Sequence, residues 1–173
     1  MSVPLVEVPA AIEARLSELG GKPVNLYRAL ANSPDMLAAW IEFAWSVRQK
    51  PATARRLREL MIVRGAALMD CGYELAHHRL MARRSGVSEE ELDALDGWRE
   101  SPYFTPAERA ALALTEAATR LSDRSDPVPD EIWEEAARHF DERQLAALTL
   151  EIAGINAWNR LNVTTAQPAG QSW

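Results

Sequence analysis

The chain has 173 residues, of which 47% are hydrophobic and 25% charged, with 19 basic against 25 acidic side chains. That length points to one domain with a real hydrophobic core, and the composition excludes collagen-like, disordered and disulfide-stapled classes. A formal charge of −6 argues against nucleic acid, whose phosphates call for a basic excess, and against an anionic membrane surface.

Helical punctuation runs through the sequence. A lead-in containing proline precedes an amphipathic stretch at 10–19 that stops at Gly20-Gly21, and 24–31 reads as a second short helix. Ser33-Pro34 places a capping side chain before a proline at the first helical position, opening a helix over 34–49. Lys50-Pro51 ends it, and apolar spacing of three and four predicts the next over 53–69. Asp70 is a candidate cap for a helix over 71–85, which Gly86 closes. Ser88, Thr105 and Asp141 each precede Glu or Gln by three residues, the pattern of a capping box. They open, in turn, a short helix stapled by Val87 and Leu92, a helix to about 121, and a long apolar helix to about 164. Residues 122–129, with two prolines, read as a turn-forming linker before a helix over 130–139.

No segment keeps a period of two, and Ala, Leu, Glu and Arg favour helix throughout. The expectation is an all-α helical bundle forming a single domain, with 1–22 as lead-in and short helix, 23–166 as the body and 167–173 as a flexible tail. The N-terminus shows no basic segment followed by a long apolar run, and apolar runs elsewhere fall short of the ~20 residues a bilayer requires. A cytoplasmic location is therefore expected. The single cysteine, Cys71, can form no internal disulfide. Six tryptophans, more than a small helical core easily encloses, fit either an interface or capped core positions.

Chemistry concentrates near that cysteine. On a helix, Cys71, Glu74 and His78 share a strip roughly 60° wide, whereas His77 is rotated by about 100° from His78. An acid or nucleophile, a carboxylate and an imidazole on one stripe form a proton-handling set. A first-turn position favours thiolate at Cys71, while the neighbouring Asp70 opposes it. Each residue also has a plain structural role available: a small buried hydrophobe for Cys71, a solvated i,i+4 pair for Glu74 and His78. Glu59, in an apolar stretch, either meets the Cys71 helix or pairs with Arg55, Arg56 or Arg58. Asp70, Glu74 and His78 have metal-ligand spacing, but without a second ligand cluster no metal is expected. Glu151, Asn156, Asn159 and Arg160 are treated as structural.

The run Arg58-Glu59-Leu60, then Cys71-Gly72-Tyr73-Glu74-Leu75-Ala76-His77-His78 and Ala82-Arg83-Arg84-Ser85-Gly86-Val87-Ser88, resembles the carboxymuconolactone decarboxylase family and its alkylhydroperoxidase-D-like superfamily. The resemblance implies an all-α fold, homo-oligomers (trimers or hexamers), no cofactor, a small-molecule substrate, and a site on the helix hairpin that carries the motif. The peroxidase branch has a CxxC motif followed by histidine, with a glutamate twelve residues before the first cysteine. Carried over, the first cysteine falls on Cys71, the histidine on His78, the glutamate on Glu59 and the second cysteine on Glu74. A carboxylate cannot resolve a sulfenic acid as a second thiol does. The decarboxylase branch, which keeps glutamate and histidine without requiring cysteine, fits Glu59, Glu74 and His78. There His78 would be the acid and Glu59 or Glu74 the base or orienter, with Arg58 or Arg64 holding a carboxylate. The expected function is acid–base chemistry on a small carboxylated or lactone substrate. The alternatives are a peroxidase using Cys71 alone, or a non-enzymatic oligomeric member of the fold.

Overall fold

The computed structural model describes residues 3–49, 52–123 and 125–166; the tail expected at 167–173 lies outside them. Among the described residues the structure is helical with no strand: α1 (Ala10–Glu18), α2 (Asn25–Leu30), α3 (Pro34–Gln49), α4 (Arg55–Leu68), α5 (Gly72–Arg84), α6 (Glu89–Asp93), α7 (Pro106–Thr119), α8 (Asp130–Ala137) and α9 (Glu142–Thr164). Short 3₁₀ turns follow α6 at Ala94–Gly97 and α7 at Leu121–Asp123, the latter overlapping the start of the stretch expected to be linker. None of the helices is long and apolar enough to cross a membrane.

The helix starts follow local chemistry. Ser88, Thr105 and Asp141 each accept a bond from the backbone N–H three residues on, and the residue there reaches back to the cap's own N–H. Each box satisfies two of the donors that a helix N-terminus leaves open. Helix ends are equally specific. After α1, Gly21 N–H bonds to the Leu16 carbonyl and Gly20 N–H to that of Ser17, with Gly20 at φ 78°. The end of α5 repeats this with Gly86 at φ 90°. Both are Schellman closures, where glycine takes the left-handed position at no steric cost.

The turn between α4 and α5 is the same motif without glycine. Cys71 N–H bonds to the Ala66 carbonyl and Asp70 N–H to that of Ala67, and Asp70 itself adopts φ 50°. Asp70 therefore ends α4 and does not cap α5. The cap position belongs to Cys71, which makes no side-chain capping bond. A short polar side chain tolerates the left-handed region better than most, and the turn folds α5 back onto α4.

Helix α4 is the hub, packing on α5, α7 and α9. Leu57 and Met61 join Leu114, Leu148 and Ile152 in one apolar cluster, and Leu60 and Val63 join Val87, Leu95, Trp98 and Leu112 in another. A third cluster gathers α1 to α3 (Leu16, Leu26, Tyr27, Leu37, Ile41 and Trp45) against Trp158 and Leu161 of α9. Two tryptophans are buried with their N–H satisfied: Trp45 donates to the Leu19 carbonyl at 2.7 Å and Trp98 to Glu116 at 2.9 Å. Trp133 is exposed.

Candidate active site

The α4–α5 reversal sets Glu59 against His78. The Nδ1 atom of His78 lies 2.7 Å from Glu59 Oε2, and its Nε2 atom lies 3.3 Å from Glu74 Oε2, one turn back along α5. Both carboxylates are buried, at 3% and 2% exposure. Their remaining oxygens are also engaged: Arg55 donates to Glu59 Oε1 at 2.9 Å, and Asn162 of α9 donates to Glu74 Oε1 at 2.7 Å. Glu59 thus has both partners that the sequence offered as alternatives, an arginine on its own helix and a histidine on the next.

An imidazole between two carboxylates is held as imidazolium. Burial pushes the His78 pKa down, but its bonds to Glu59 and Glu74 and their charges outweigh this and raise it to about 9. Burial likewise opposes ionisation of Glu59, but the bond to His78, that ring's charge and Arg55 hold this carboxyl below its ordinary value. The protonated ring carries two N–H groups, Nδ1–H facing Glu59 and Nε2–H facing Glu74.

All three line a cavity of about 130 Å³ at the junction of α3, α4, α5 and α9. An apolar cavity of roughly 150 Å³ accepts benzene, so this one suits a single small ring. Its apolar walls include Phe43, Ile62, Met81, Ile155 and Trp158, and its cations are Arg48, Arg55 and Arg58. Arg64, the other arginine considered for substrate binding, instead reaches Glu116 and Asp96 at 2.7 Å each. His77 also borders the cavity, its ring 5.5 Å from that of His78 and nearly perpendicular to it. The rotation expected to turn His77 away is met by a cavity wide enough to span both rings. Burial and the His78 charge push the His77 pKa down to about 4, so His77 is neutral.

The structure does not bring Cys71 into this group. Its backbone is non-helical, φ −93° and ψ 84°, so the helical angle that aligned it with Glu74 and His78 does not apply. It is 1% exposed, clusters with Ala66 and Tyr73, and is not among the cavity-lining residues. Burial raises its pKa, and the charges of Glu74 and Asp70 add to that rise; backbone N–H groups of Glu74 and Tyr73 pull the other way without prevailing. The competition between helix terminus and acidic neighbours is therefore decided for the thiol.

Two participants on α9 were not foreseen. Asn162, 1% exposed, orients Glu74. Glu151, placed beforehand among structural residues, lines the cavity at 8% exposure, with Arg58 Nε 3.8 Å from its Oε1. Burial lifts its pKa to about 7 against the opposing effects of Arg58 and Thr53. Among the described residues no group of three or more His, Cys, Asp and Glu side chains is arranged to hold a metal ion.

Comparison with known proteins gives this geometry a context. The profile of the carboxymuconolactone decarboxylase family matches residues 34–117. The uncharacterized protein YdfG of Bacillus subtilis is 34% identical over 115 residues, covering 66% of this chain and 77% of that one. A crystal structure from Agrobacterium tumefaciens, of a protein of unknown function named as a candidate AhpD antioxidant defence protein, superposes with a TM-score of 0.75 at 27% identity. That match covers 82% of this chain and 94% of the other. The alkylhydroperoxidase AhpD core of an uncharacterized peroxidase-related protein from Ralstonia eutropha superposes with a TM-score of 0.80 over 97% of this chain and 91% of its own. At 21% identity it speaks for the fold alone.

Proposed function

Because this chain belongs to the carboxymuconolactone decarboxylase family, we propose that it is an acid–base enzyme acting on a small carboxylated or lactone substrate through Glu59, His78 and Glu74. The observation that carries the reading is the buried imidazolium held between two carboxylates on a cavity wall. Loss of CO₂ from a substrate leaves an electron pair that must be protonated at carbon. The triad stores that proton on His78, and either carboxylate can pass it on while the other balances the charge left behind. Arg48, Arg55 and Arg58 favour entry of an anionic substrate, and the apolar walls exclude the water that would weaken these charges.

Thiol chemistry has less support. A peroxidatic sulfur needs thiolate character and access, whereas Cys71 is buried with a raised pKa. Assembly as a homo-oligomer, a trimer or hexamer, belongs to the same proposal; sedimentation or light scattering of the pure protein tests it.

The test is proton transfer to and from carbon. The protein is incubated in D₂O with a panel of carboxylated γ-lactones and 3-oxo acids, followed by proton NMR for the decarboxylated product and its deuterium content, and by ¹³C NMR for CO₂ release. H78Q and E59Q should each lose at least about a hundredfold in rate, the range for a positioned acid or base, while C71S should keep it. Full activity in H78Q would overturn the proposal. Peroxide consumption that needs an added thiol and vanishes in C71S would favour the redox alternative, and inactivity of the wild-type across both assays the non-enzymatic one.

A further inference from the structure

We propose that Glu151 and Arg58 form a clamp for a carbonyl oxygen of the substrate, Arg58 engaging it as a cation and Glu151 as the neutral acid. This rests on the acid–base reading and deepens it by naming the recognised atom: the substrate is an enolisable carbonyl compound, a lactone or 3-oxo acid. Glu151 is more than nine-tenths buried on the cavity wall, yet among the described residues neither of its oxygens accepts a well-formed hydrogen bond. The buried Nε of Arg58 has no hydrogen-bond partner either, although the two side chains approach to 3.8 Å. That gap is too long for a hydrogen bond. A purely structural buried pair should close, because unmet desolvation of two such groups costs more than the pair returns. Two unmet polar groups bordering one cavity mark a place that a ligand oxygen completes.

The chemistry follows. When the carbon–carbon bond to a substrate carboxylate breaks, CO₂ leaves and the bonding pair moves through the adjacent carbonyl onto its oxygen. The resulting oxyanion accepts hydrogen bonds from the Glu151 carboxylic acid and from Arg58, as other preorganised donors hold developing charge. His78 then gives its proton, by way of the triad, to the carbon that lost CO₂, the pair returns to that carbon, and water in the open site reprotonates the ring. Net, one proton replaces one CO₂. A carboxyl with its pKa raised to about 7 is protonated often enough at neutral pH to fill this part.

Other charges also face the cavity. Helix α4 contributes Arg55, Arg58 and Glu59, and α3 contributes Arg48. Helix α5 contributes Glu74, His77 and His78, whereas the rest of the α9 wall (Gly154, Ile155 and Trp158) is uncharged. His78 changes charge near the alkaline end, about pH 9, and it does so whether or not Glu151 is present.

Pentafluorophenolate, anionic throughout the range used, stands in for the enolate and is titrated into the protein by calorimetry at pH 6 and pH 8.5. If only neutral Glu151 accepts the anion, wild-type affinity falls about 30-fold between these values. E151Q, which keeps a donor but cannot ionise, should fall no more than about threefold, and R58M should bind at least tenfold more weakly at both. Equal pH dependence in wild-type and E151Q, or no binding to wild-type, overturns the clamp. Should a variant fail to fold, ¹³C NMR of the Glu151 carboxyl in wild-type decides: saturating probe must move its titration to higher pH, and an unmoved midpoint refutes it. H78Q separates the two proposals, since it should abolish proton transfer to carbon while binding the probe with wild-type pH dependence.

Discussion

Replacing His78 by glutamine should remove a pH-dependent part of the protein's stability, with a predictable window. The His78 pKa stands at about 9 against an ordinary 6.5, a displacement equivalent to about 3 kcal/mol. A base whose pKa is raised by folding contributes fully below its unfolded value and loses that contribution as pH rises through the folded one. The term is therefore complete below about pH 6.5 and gone above about pH 9. Urea unfolding of wild-type and H78Q at pH 6, 7.5 and 9.5 reads it directly: the gap between the two proteins should narrow by about 3 kcal/mol across the series. In H78Q the two carboxylates lose the cation between them and keep only Arg55, on Glu59, so proton uptake by the pair is favoured, which alters that variant mainly on the acid side of the window. Glu151 titrates in both proteins and cancels in the difference. Parallel stability curves for the two proteins from pH 6.5 to 9.5 would refute the claim that the ring is charged between its carboxylates.

Three further outcomes are expected. Glu151, at about 7 against an ordinary 4.5, should weaken the fold progressively as pH rises from 4.5 through 7, because ionising a buried acid penalises only the folded state. E151Q should then be more stable than wild-type by up to about 3 kcal/mol at pH 8 and little changed at pH 4.5, and an equal gain at both would sink the assignment. Asp70→Gly should raise the thermal midpoint, worth about 0.5–1 kcal/mol, by relieving a non-glycine residue at φ 50°; had Asp70 capped α5, the same change would lower it. Cys71 should resist an aromatic disulfide reagent in the native protein and react on unfolding, measured as thiol release against urea.

What the sequence disclosed depended on the range of the interaction. The boxes at Ser88, Thr105 and Asp141 and the glycine closures after α1 and α5 are settled within a few residues, so composition and spacing reveal them. The α4–α5 closure uses the same bonds, but its left-handed residue is Asp70; aspartate is equally at home as an N-cap, and the pattern favoured that role. The pairing of Glu74 with His78 follows from their spacing on α5. For Glu59 the residues left two partners open, the Cys71 helix or a neighbouring arginine, and only the resemblance matched it with His78, since their meeting needs the hairpin. Glu151 and Asn162 read as polar residues in an apolar helix, and nothing local says that α9 turns them toward α5 and the cavity. Cys71 misled for a geometric reason: a stripe on a helical wheel assumes helical backbone, and the residue sits at the cap.

Burial acts on His78, Glu59 and Glu151 alike, yet it leaves them in different states because their partners differ. His78 and Glu59 neutralise each other's desolvation, so the ring stays an acid and the carboxylate stays ionised. Glu151 has only Arg58 at 3.8 Å and a weak pull from Thr53, too little to offset its loss of water, and its pKa climbs. Environments that push neighbouring pKa values apart are how a protein assigns acid and base roles near pH 7. Glu74 is central to the division, because it occupies the place that the resemblance gives to a second thiol. A thiol there would leave His78 with one carboxylate instead of two and the Asn162 amide without its strong acceptor. The carboxylate supplies both, which raises the ring's pKa and ties α5 to α9. Under the acid–base reading proposed above, that carboxylate in place of a thiol is what favours proton transfer at this site.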